Sequence, residues 1–391
     1  MDKVKGTSPA TAGAAVTGEA WASGVWEKIL PKLLATRTRV GDGLPFVSVN
    51  GRWRERGGDK HRSWWTNGFW PGLCWLAFRE TADEAWMDAA RGCESRLDEA
   101  LEWFEDLHHD VGFVWTLSSV ASYRLTANED SRRKALHAAT LLAGRFNQAG
   151  RFIRAWNGRK QAGWAIVDSL MNLPLLHWAS ETTGDPRFAQ VALAHADTAL
   201  ERILRPDGSV NHIVRFDPDS GAYIDSLAGQ GYAAGSSWSR GQAWALYGFA
   251  LSHRHSGLAP HLEAARRVAD YFISQLGESG LPRVDFRAPP LPMDLDSSAG
   301  AIAASGLLEI ASLVPVAEAP AYRSAAARLL AALDFGCGSW ALPDEEGLLL
   351  HGAHAWHHDD KIHPNDTPII YGDYFFTEAV LRLKSPSGSL W

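Results

Sequence analysis

The chain has 391 residues and a formal net charge of -7, with 46% hydrophobic and 21% charged residues. This composition supports a sizeable core and excludes an intrinsically disordered chain. The negative charge gives no sequence-wide attraction to nucleic acid or anionic membranes, and no run approaches the roughly 18 apolar residues of a membrane span, so we expect neither as a partner.

Nothing in the sequence divides the chain, because it lacks a Pro/Gly/Ser-rich linker and a charge run. We therefore predict a flexible N-terminal tail over residues 1–20, which are small and polar, and a single domain over residues 21–391. Cys74, Cys93 and Cys337 lie far apart without metal-binding spacing. They predict free thiols in a reducing compartment, here the cytoplasm.

Helical periodicity predicts twelve helices, over 21–37, 68–81, 83–104, 113–126, 129–147, 166–182, 186–204, 239–255, 259–276, 298–313, 318–335 and 373–384. Odd-numbered members such as 186–204 mix charges with an apolar stripe, as an outer layer should. Even-numbered members such as 166–182 are apolar on most sides, as an inner layer should be. Six such hairpins predict an all-α fold in which two helical layers close into an α/α toroid rather than an open superhelix.

A polar or aromatic cluster precedes each of six apolar helices. The clusters read WTNGFWPG from Trp65, HHDVGFVW from His108, WAIVDSLMN from Trp164, WSRGQAW from Trp238, DLDSSAGA from Asp294 and YGDYFF from Tyr371. Because the inner helices of such a ring run parallel, the six clusters are expected at one mouth, where they would build one composite pocket.

Two segments break the helical pattern. Between Pro206 and Gly229, alternation and a D-P-D-S-G turn predict a short hairpin over the rim. The segment 336–371 is irregular and contains a group of histidines, namely His351, His354, His357, His358 and His363. These histidines lack the spacing of a zinc motif, so no metal is expected.

Asp168 and Asp110 are the candidate catalytic residues. Asp168 begins an apolar segment, and a poorly solvated carboxylate has the raised pKa that suits an acid which must first donate and then accept a proton. A helix N-cap is the equally compatible alternative for Asp168 and the favoured one for Asp110 taken alone. Together, two carboxylates at parallel helix starts form an arrangement common in glycoside chemistry.

Arg240 lies between Trp238 and Trp244, where a guanidinium suits bidentate capture of a carboxylate, although a structural ion pair is the alternative. Many of the eighteen tryptophans, Trp65 and Trp156 among them, fall near the predicted mouth. They offer flat faces for sugar rings, although core packing accounts for several. No phosphate-binding loop, dinucleotide fingerprint or nucleophile elbow is present.

At these residues the sequence resembles the unsaturated glucuronyl hydrolases, glycoside hydrolase family 88. The resemblance runs from about residue 25 to 384 through WTNGFWPG, HHDVGF, RAWNG, WAIVDSLMNL, SVNHIV, GQGYAAGSSWSRGQAWALYG and YGDYFF, in that order. It implies an (α/α)6 barrel without a cofactor. The implied substrate is an oligosaccharide whose non-reducing end is a 4,5-unsaturated uronic acid left by a polysaccharide lyase, and the implied reaction is hydration of its vinyl ether.

The resemblance also assigns roles to residues. Asp168 matches the family's acid/base, which protonates C4 and then activates the water that attacks C5, and Asp110 matches the second aspartate, which binds ring hydroxyls and tunes Asp168. The positions expected around the uronic acid are His212, Gln230, Arg240, Trp65, Trp156, Trp238 and Trp244. We expect Arg240 to bind its carboxylate and Asn172, one helical turn after Asp168, to contact substrate as well.

The identity of the second sugar and four rival functions stay open. The stretch KIHPNDTPIIYGDY from Lys361 is expected to border the next sugar and lacks a serine/lysine cluster, which favours unsulfated or lightly sulfated hyaluronan- or chondroitin-type disaccharides. The rivals are an unsaturated rhamnogalacturonyl hydrolase, an inverting glycosidase, a sugar epimerase in which His212 matters more than Asp168, and a non-enzymatic helical scaffold. The chain is expected to be a monomer or a homodimer.

Overall fold

The structure, a computed structural model, describes residues 18–56, 62–290, 294–357, 365–385 and 388–391. Most of the predicted tail, residues 1–17, lies outside these ranges, and the first helix begins at Glu19. Within the described ranges, no helix has both the length and the apolar character that crossing a bilayer requires.

Long helices with one buried stripe form the outer layer. In the described part of the chain they are α1 (Glu19–Val40), α3 (Glu84–Glu102), α6 (Glu129–Ala143), α8 (Arg187–Arg202), α10 (Ala259–Gln275) and α12 (Ala319–Cys337). In α8 the buried residues Phe188, Ala192, His195 and Ala199 recur every three or four positions. Such a stripe packs against the inner layer and leaves the charged face in water.

More apolar helices form the inner layer. They are α2 (Phe69–Thr81), α4 (Val111–Trp115) continued by a π-helical turn (Thr116–Val120) into α5 (Ala121–Thr126), α7 (Leu173–Thr183), α9 (Ser239–Ser256), α11 (Ser297–Leu313) and α13 (Ile370–Lys384). In α11 every residue of 297–311 is buried. Because α13 packs against both α11 and α2, the inner ring closes, which confirms the predicted all-α barrel.

Short strands lie at the mouth of the barrel. They are β1 (Pro45–Val49), β2 (Arg52–Glu55), β3 (Phe146–Asn147), β4 (Phe152–Ile153), β5 (Trp164–Ile166), β6 (Ile213–Phe216) and β7 (Tyr223–Leu227). The predicted rim hairpin is confirmed as the antiparallel pair β6 and β7, which β5 extends to three strands. This sheet brings His212 next to the segment of Asp168, because Val167 N donates to His212 O at 3.0 Å.

The third inner helix begins later than predicted. In place of one helix over 166–182, the chain forms β5, then a tight 3₁₀ helix (Val167–Asn172), and only then α7. Pro174 stands in the first turn of α7, where its missing N–H costs nothing. A helix starting at residue 166 would place this proline in its interior and lose a hydrogen bond. Asp168 therefore lies in the 3₁₀ turn.

Glycine allows two inner segments to approach each other closely below the mouth. A Cβ on Gly112 would lie 2.4 Å from Cα and 2.5 Å from the carbonyl oxygen of Asn172. These are backbone atoms that cannot move aside, so only glycine fits at this position. The contact brings the segments of Asp110 and Asp168 side by side.

The last described residue enters the barrel from the end at which the inner helices finish. The Trp391 ring is 2% exposed and stacks on Phe375, with centroids 5.9 Å apart, and its edge meets Phe113 at 5.8 Å. Arg124 and Arg254 donate to the carbonyl oxygens of residues 390 and 391. The indole thus packs beneath the ring of Phe113.

Candidate active site

A cavity of about 260 Å³ opens where the inner helices begin. Its lining residues are Trp64, Trp65, His108, His109, Asp110, Phe113, Trp156, Ile166, Asp168, Gln230, Trp238, Arg240, Trp244 and His354. Four of the six predicted clusters supply lining residues. The other two supply Asp296 and Tyr371, which contact Arg240 from behind.

The two aspartates face the same cavity, and each is 8% exposed. Burial raises the pKa of Asp110 well above its usual range, and the nearby charge of Asp168 raises it further. Asp110 occupies the N-cap position of α4, yet its side chain accepts no capping hydrogen bond. Oδ2 of Asp168 is buried and makes no hydrogen bond to the described residues. The carboxyl groups therefore point into the cavity instead of capping helices.

His212 stands behind Asp168. Its Nδ1 accepts a hydrogen bond from Gln230 N at 2.9 Å and also lies 3.2 Å from the carbonyl oxygen of Ala228. Nε2 lies 3.8 Å from Oδ1 of Asp168. Gly229, the residue before Gln230, has φ +58°, and a Cβ on it would lie 2.1 Å from Nδ1 of His212. His212 is thus held in place behind the cavity wall, with Nε2 on the side of the Asp168 carboxyl group.

Asn172 does not occupy the predicted position in contact with substrate. It is fully buried beneath the cavity, and its amide is used within the protein. Nδ2 donates to Oδ1 of Asp110 at 3.3 Å and to the carbonyl oxygen of Asp168 at 3.2 Å, while Oδ1 accepts from Phe113 N at 2.7 Å. The 3₁₀ turn directs this side chain toward α4, an orientation that does not favour the predicted direct contact. Asn172 instead ties the two aspartate segments together.

Arg240 lines the cavity, but its guanidinium is already engaged. Nη1 donates to Oδ2 of Asp296 at 3.0 Å and to the carbonyl oxygen of Ala353, and Nη2 donates to that of His354 at 2.8 Å. Its plane lies over Trp238, with 4.5 Å from Cζ to the ring centroid. The structure therefore contains the ion pair that was the predicted alternative, because the neighbouring helices α9 and α11 place a carboxylate behind the arginine. Bidentate capture through both Nη atoms does not fit this arrangement.

Tryptophans form much of the remaining wall. Trp65 and Trp156 are partly exposed, whereas Trp238 and Trp244 are almost entirely buried. Trp65 stacks on Tyr371 at 4.9 Å, and the ring of Trp238 lies 4.2 Å from that of His212. All four predicted tryptophans line the cavity. Their rings also pack against the core, so core packing accounts for part of their burial, and the stacking of sugar rings on them stays a prediction.

Comparison with known proteins agrees with this geometry. The model of Glycosyl Hydrolase Family 88 matches residues 46–276. The chain is 37% identical to the unsaturated glucuronyl hydrolase of Bacillus sp. (strain GL1), over 94% of this chain and 99% of that protein. The chain belongs to glycosyl hydrolase family 88.

One further relative and one solved structure extend the comparison for this family-88 chain. The unsaturated chondroitin disaccharide hydrolase of Streptococcus pyogenes serotype M1 is 34% identical over 84% of this chain and 83% of that protein. The crystal structure of the unsaturated glucuronyl hydrolase from Bacillus sp. GL1 superposes with a TM-score of 0.88 at 36% identity, covering 95% of this chain and 99% of that one. The predicted family and barrel are thereby confirmed.

Several residues of the family-88 site were not predicted to be functional. His108 and His109 lie beside Asp110, and burial lowers the pKa of His108 to about 4 and that of His109 well below its usual range. Both imidazoles are therefore neutral at neutral pH. The sequence signal that could have identified these two histidines was their position directly before Asp110. Asp296 could not be found in this way, because nothing local distinguishes it from a helix N-cap.

The group of histidines over 351–363 separates in space. His354 lines the cavity, and its carbonyl oxygen accepts hydrogen bonds from Arg240 and from Nε2 of Gln230 at 2.7 Å. His351 contacts Asp366, and His357 contacts Tyr232. His358 and His363 lie outside the described residues. So do residues 361–364, the first part of the stretch from Lys361 that was expected to border the second sugar.

Proposed function

We propose that this chain removes a 4,5-unsaturated uronic acid from the non-reducing end of lyase-generated oligosaccharides. The observation that carries the proposal is a buried carboxyl pair, Asp110 and Asp168, within one tryptophan-walled cavity of a family-88 barrel. The names of the relatives agree with it, since they act on unsaturated glucuronyl or chondroitin disaccharide substrates. The acidic, ring-flattened sugar would lie between the aromatic rings.

Asp168 acts first as acid and then as base in this proposal. Its proton goes to C4 of the C4=C5 double bond, which leaves a cationic centre shared by C5 and the ring oxygen. The resulting carboxylate then takes a proton from water as the water oxygen bonds to C5. The product is a hemiketal, which collapses, opens the ring and releases the next sugar as the leaving alcohol. One water is consumed, and Asp168 ends protonated as it began.

The neighbours of Asp168 support both halves of the cycle. The raised pKa of Asp110 keeps this carboxyl group neutral at a pH where isolated carboxyls have lost their proton. A neutral Asp110 also donates a hydrogen bond to a sugar hydroxyl and adds no second negative charge. Nε2 of His212 lies 3.8 Å from Oδ1 of Asp168, and in this proposal it carries the proton that stabilises the carboxylate after C4 has been protonated.

Recognition of the uronic acid uses the remaining lining residues. Trp65, Trp156, Trp238 and Trp244 offer ring faces for the flattened sugar. Arg240 supplies the positive potential for the sugar carboxylate through its cavity-facing edge, with its Nη atoms held by Asp296 and backbone carbonyls. For the second sugar we keep unsulfated or lightly sulfated hyaluronan- or chondroitin-type units as the proposed preference.

The test is incubation with unsaturated disaccharides from chondroitin, hyaluronan, heparin and rhamnogalacturonan, followed by loss of absorbance at the conjugated enoate band. We expect turnover of the glycosaminoglycan-type disaccharides. For their saturated counterparts, which lack this band, we expect no release of reducing sugar. Turnover of saturated glycosides at a similar rate would favour the inverting glycosidase and reject vinyl-ether hydration. Turnover of the rhamnogalacturonan product alone would leave the chemistry intact but replace the substrate class.

Compartment and assembly belong to the same proposal. Cys74, Cys93 and Cys337 are buried free thiols, an arrangement typical of a reducing compartment, so we propose a cytoplasmic enzyme. The site is built from one chain, and we propose a monomer or a homodimer. Sedimentation at several protein concentrations distinguishes these two states.

A further inference from the structure

Three consecutive side chains at the cavity offer ligand atoms to a single point. Nδ1 of His109 lies 3.2 Å from Oδ1 of Asp110, and Nδ1 of His108 lies 3.5 Å from Oδ2 of the same carboxyl group. One atom from each residue falls within 4.8 Å of the others. The two imidazole rings stack at 5.3 Å with an interplanar angle of 30°, so both nitrogens face the carboxyl from one side.

The two imidazole-to-carboxyl separations end on different oxygens of Asp110, and each is close to the length of one edge of a tetrahedral zinc site. Zinc binds imidazole nitrogen and carboxylate oxygen at about 2.0–2.2 Å, which places neighbouring ligand atoms roughly 3.3–3.5 Å apart. Both imidazole-to-carboxyl distances lie close to this range. Two imidazoles and one carboxylate also form a donor set that zinc commonly takes, with the fourth position left open.

The imidazole nitrogens of the cluster have few hydrogen-bond partners. Nδ1 of His108 is buried and makes no hydrogen bond to the described residues. The second nitrogen, Nδ1 of His109, meets only the Ser169 hydroxyl at 3.2 Å and the Asp110 carboxyl. A cation placed between the three groups would satisfy lone pairs that the protein leaves facing one another.

The ligand atoms stand on fixed backbone beside an open path. His109 N donates to the carbonyl oxygen of Ala155 at 3.1 Å, and Val111 N donates to that of His108 at 3.3 Å. His108 and Asp110 both line the cavity, so an ion reaches them from the substrate side. The fourth coordination position then faces the cavity, where water or a sugar hydroxyl would fill it.

We propose that His108, His109 and Asp110 form a zinc-binding site whose occupancy inhibits the enzyme in competition with substrate. Zinc bound there withdraws the Asp110 carboxyl from the sugar and places an ion at the wall of the cavity. The ion is an inhibitor and not a cofactor, because the proposed hydration needs only Asp168 and water. The inhibition rests on the proposed function, whereas the binding of zinc does not.

The test measures zinc binding and inhibition separately. Zinc binding to the wild type and to His108→Ala is compared by calorimetry and by competition with a chromogenic chelator. The wild type should bind one zinc per chain. We expect His108→Ala to weaken zinc by more than about tenfold, the loss that even an outer partner of a metal ligand causes. His137→Ala, which removes an exposed histidine of the outer helix α6, is the matched control and should bind zinc as the wild type does.

Kinetics on an unsaturated disaccharide then test the consequence. Zinc should raise the apparent KM without lowering kcat, and a chelator should reverse the effect. Replacing zinc by Co²⁺ should give the visible absorption of a tetrahedral site in wild type and His137→Ala but not in His108→Ala. Equal zinc affinity of wild type and His108→Ala would overturn the site even if the enzyme were inactive on every substrate. Tight zinc binding with an unchanged KM would overturn the inhibition.

Discussion

Arg240 and Asp296 form an ion pair in which neither side chain is more than 1% exposed, with 3.0 Å between Nη1 and Oδ2. The arginine begins α9, and the aspartate precedes α11, where its Oδ1 also caps the helix through Ser298 N at 3.1 Å. The pair therefore joins two neighbouring inner helices at the mouth and fixes the only cation among the residues that line the described cavity.

Removing the carboxylate of this pair should destabilise the protein. Asp296→Asn keeps the helix cap but leaves a buried guanidinium without its counter-charge, which costs about 3–5 kcal/mol of unfolding free energy in chemical denaturation. Adding Arg240→Met removes the orphaned charge and should restore much of this loss while activity remains low. If the double variant were as unstable as Asp296→Asn, the unpaired guanidinium would not be the source of the lost unfolding free energy.

Asp168→Asn should lower kcat by roughly 10²–10⁴, because the amide cannot transfer the proton to C4. Substrate should still bind, and quenching of tryptophan fluorescence by the unsaturated disaccharide measures this directly. Asp110→Asn should retain more kcat but raise KM, since the amide still occupies the site without the same hydroxyl contacts. If Asp110→Asn lost more kcat than Asp168→Asn, the two roles would have to be exchanged.

Asn172→Ala should act as the loss of a positioning residue. The change leaves Phe113 N without its acceptor at 2.7 Å and should lower the unfolding free energy by about 1–3 kcal/mol. It also frees Asp110 to move, so kcat should fall roughly 10–100-fold with a smaller change in KM. A pure increase in KM would instead support the direct substrate contact that was first expected.

Buried histidines predict a loss of stability in acid. Burial lowers the pKa of His195 to about 4, while an unfolded histidine titrates near pH 6.5. The unfolded state therefore takes up the proton first, so the contribution of His195 to stability is complete above about pH 6.5 and is lost as the pH falls toward 4.

His195→Asn tests this sign. The asparagine oxygen can still accept from Ile153 N, which donates to Nδ1 at 3.0 Å in the wild type, but it does not titrate. In urea unfolding, the loss of free energy between about pH 7 and pH 4.5 should be about 2–3 kcal/mol smaller in the variant than in the wild type. Parallel pH profiles of the two proteins would contradict the assignment.

Trp391 should stabilise the barrel from its far end. Trp391→Ala removes a buried indole that stacks on Phe375 and supports Phe113, and we expect it to cost about 3–5 kcal/mol. Trp391→Phe keeps one stacked ring and should lose clearly less. Equal losses in the two variants, compared by thermal and urea unfolding, would show that ring stacking does not account for the effect.

Periodicity was sufficient for the helices but not for the turns between them. The twelve predicted segments all contain helix, because apolar spacing over ten or more residues reflects burial in one layer or the other. The start of the third inner helix was misplaced, since pairing of β5 with β6 competes with helix and depends on a segment about fifty residues away. Short hairpins such as β3 and β4 carry no periodic pattern.

By itself the sequence determined the barrel, the family and the residues that gather at its mouth, because each follows from local pattern or from motifs in a preserved order. Only the tertiary structure decided what those residues touch. In the fold, Arg240 pairs with Asp296, and Asn172 lies under the cavity and contacts Asp110. Burial in the fold raises the pKa of Asp110. Partners, burial and electrostatic fields arise between segments far apart in the chain, so no local pattern specifies them.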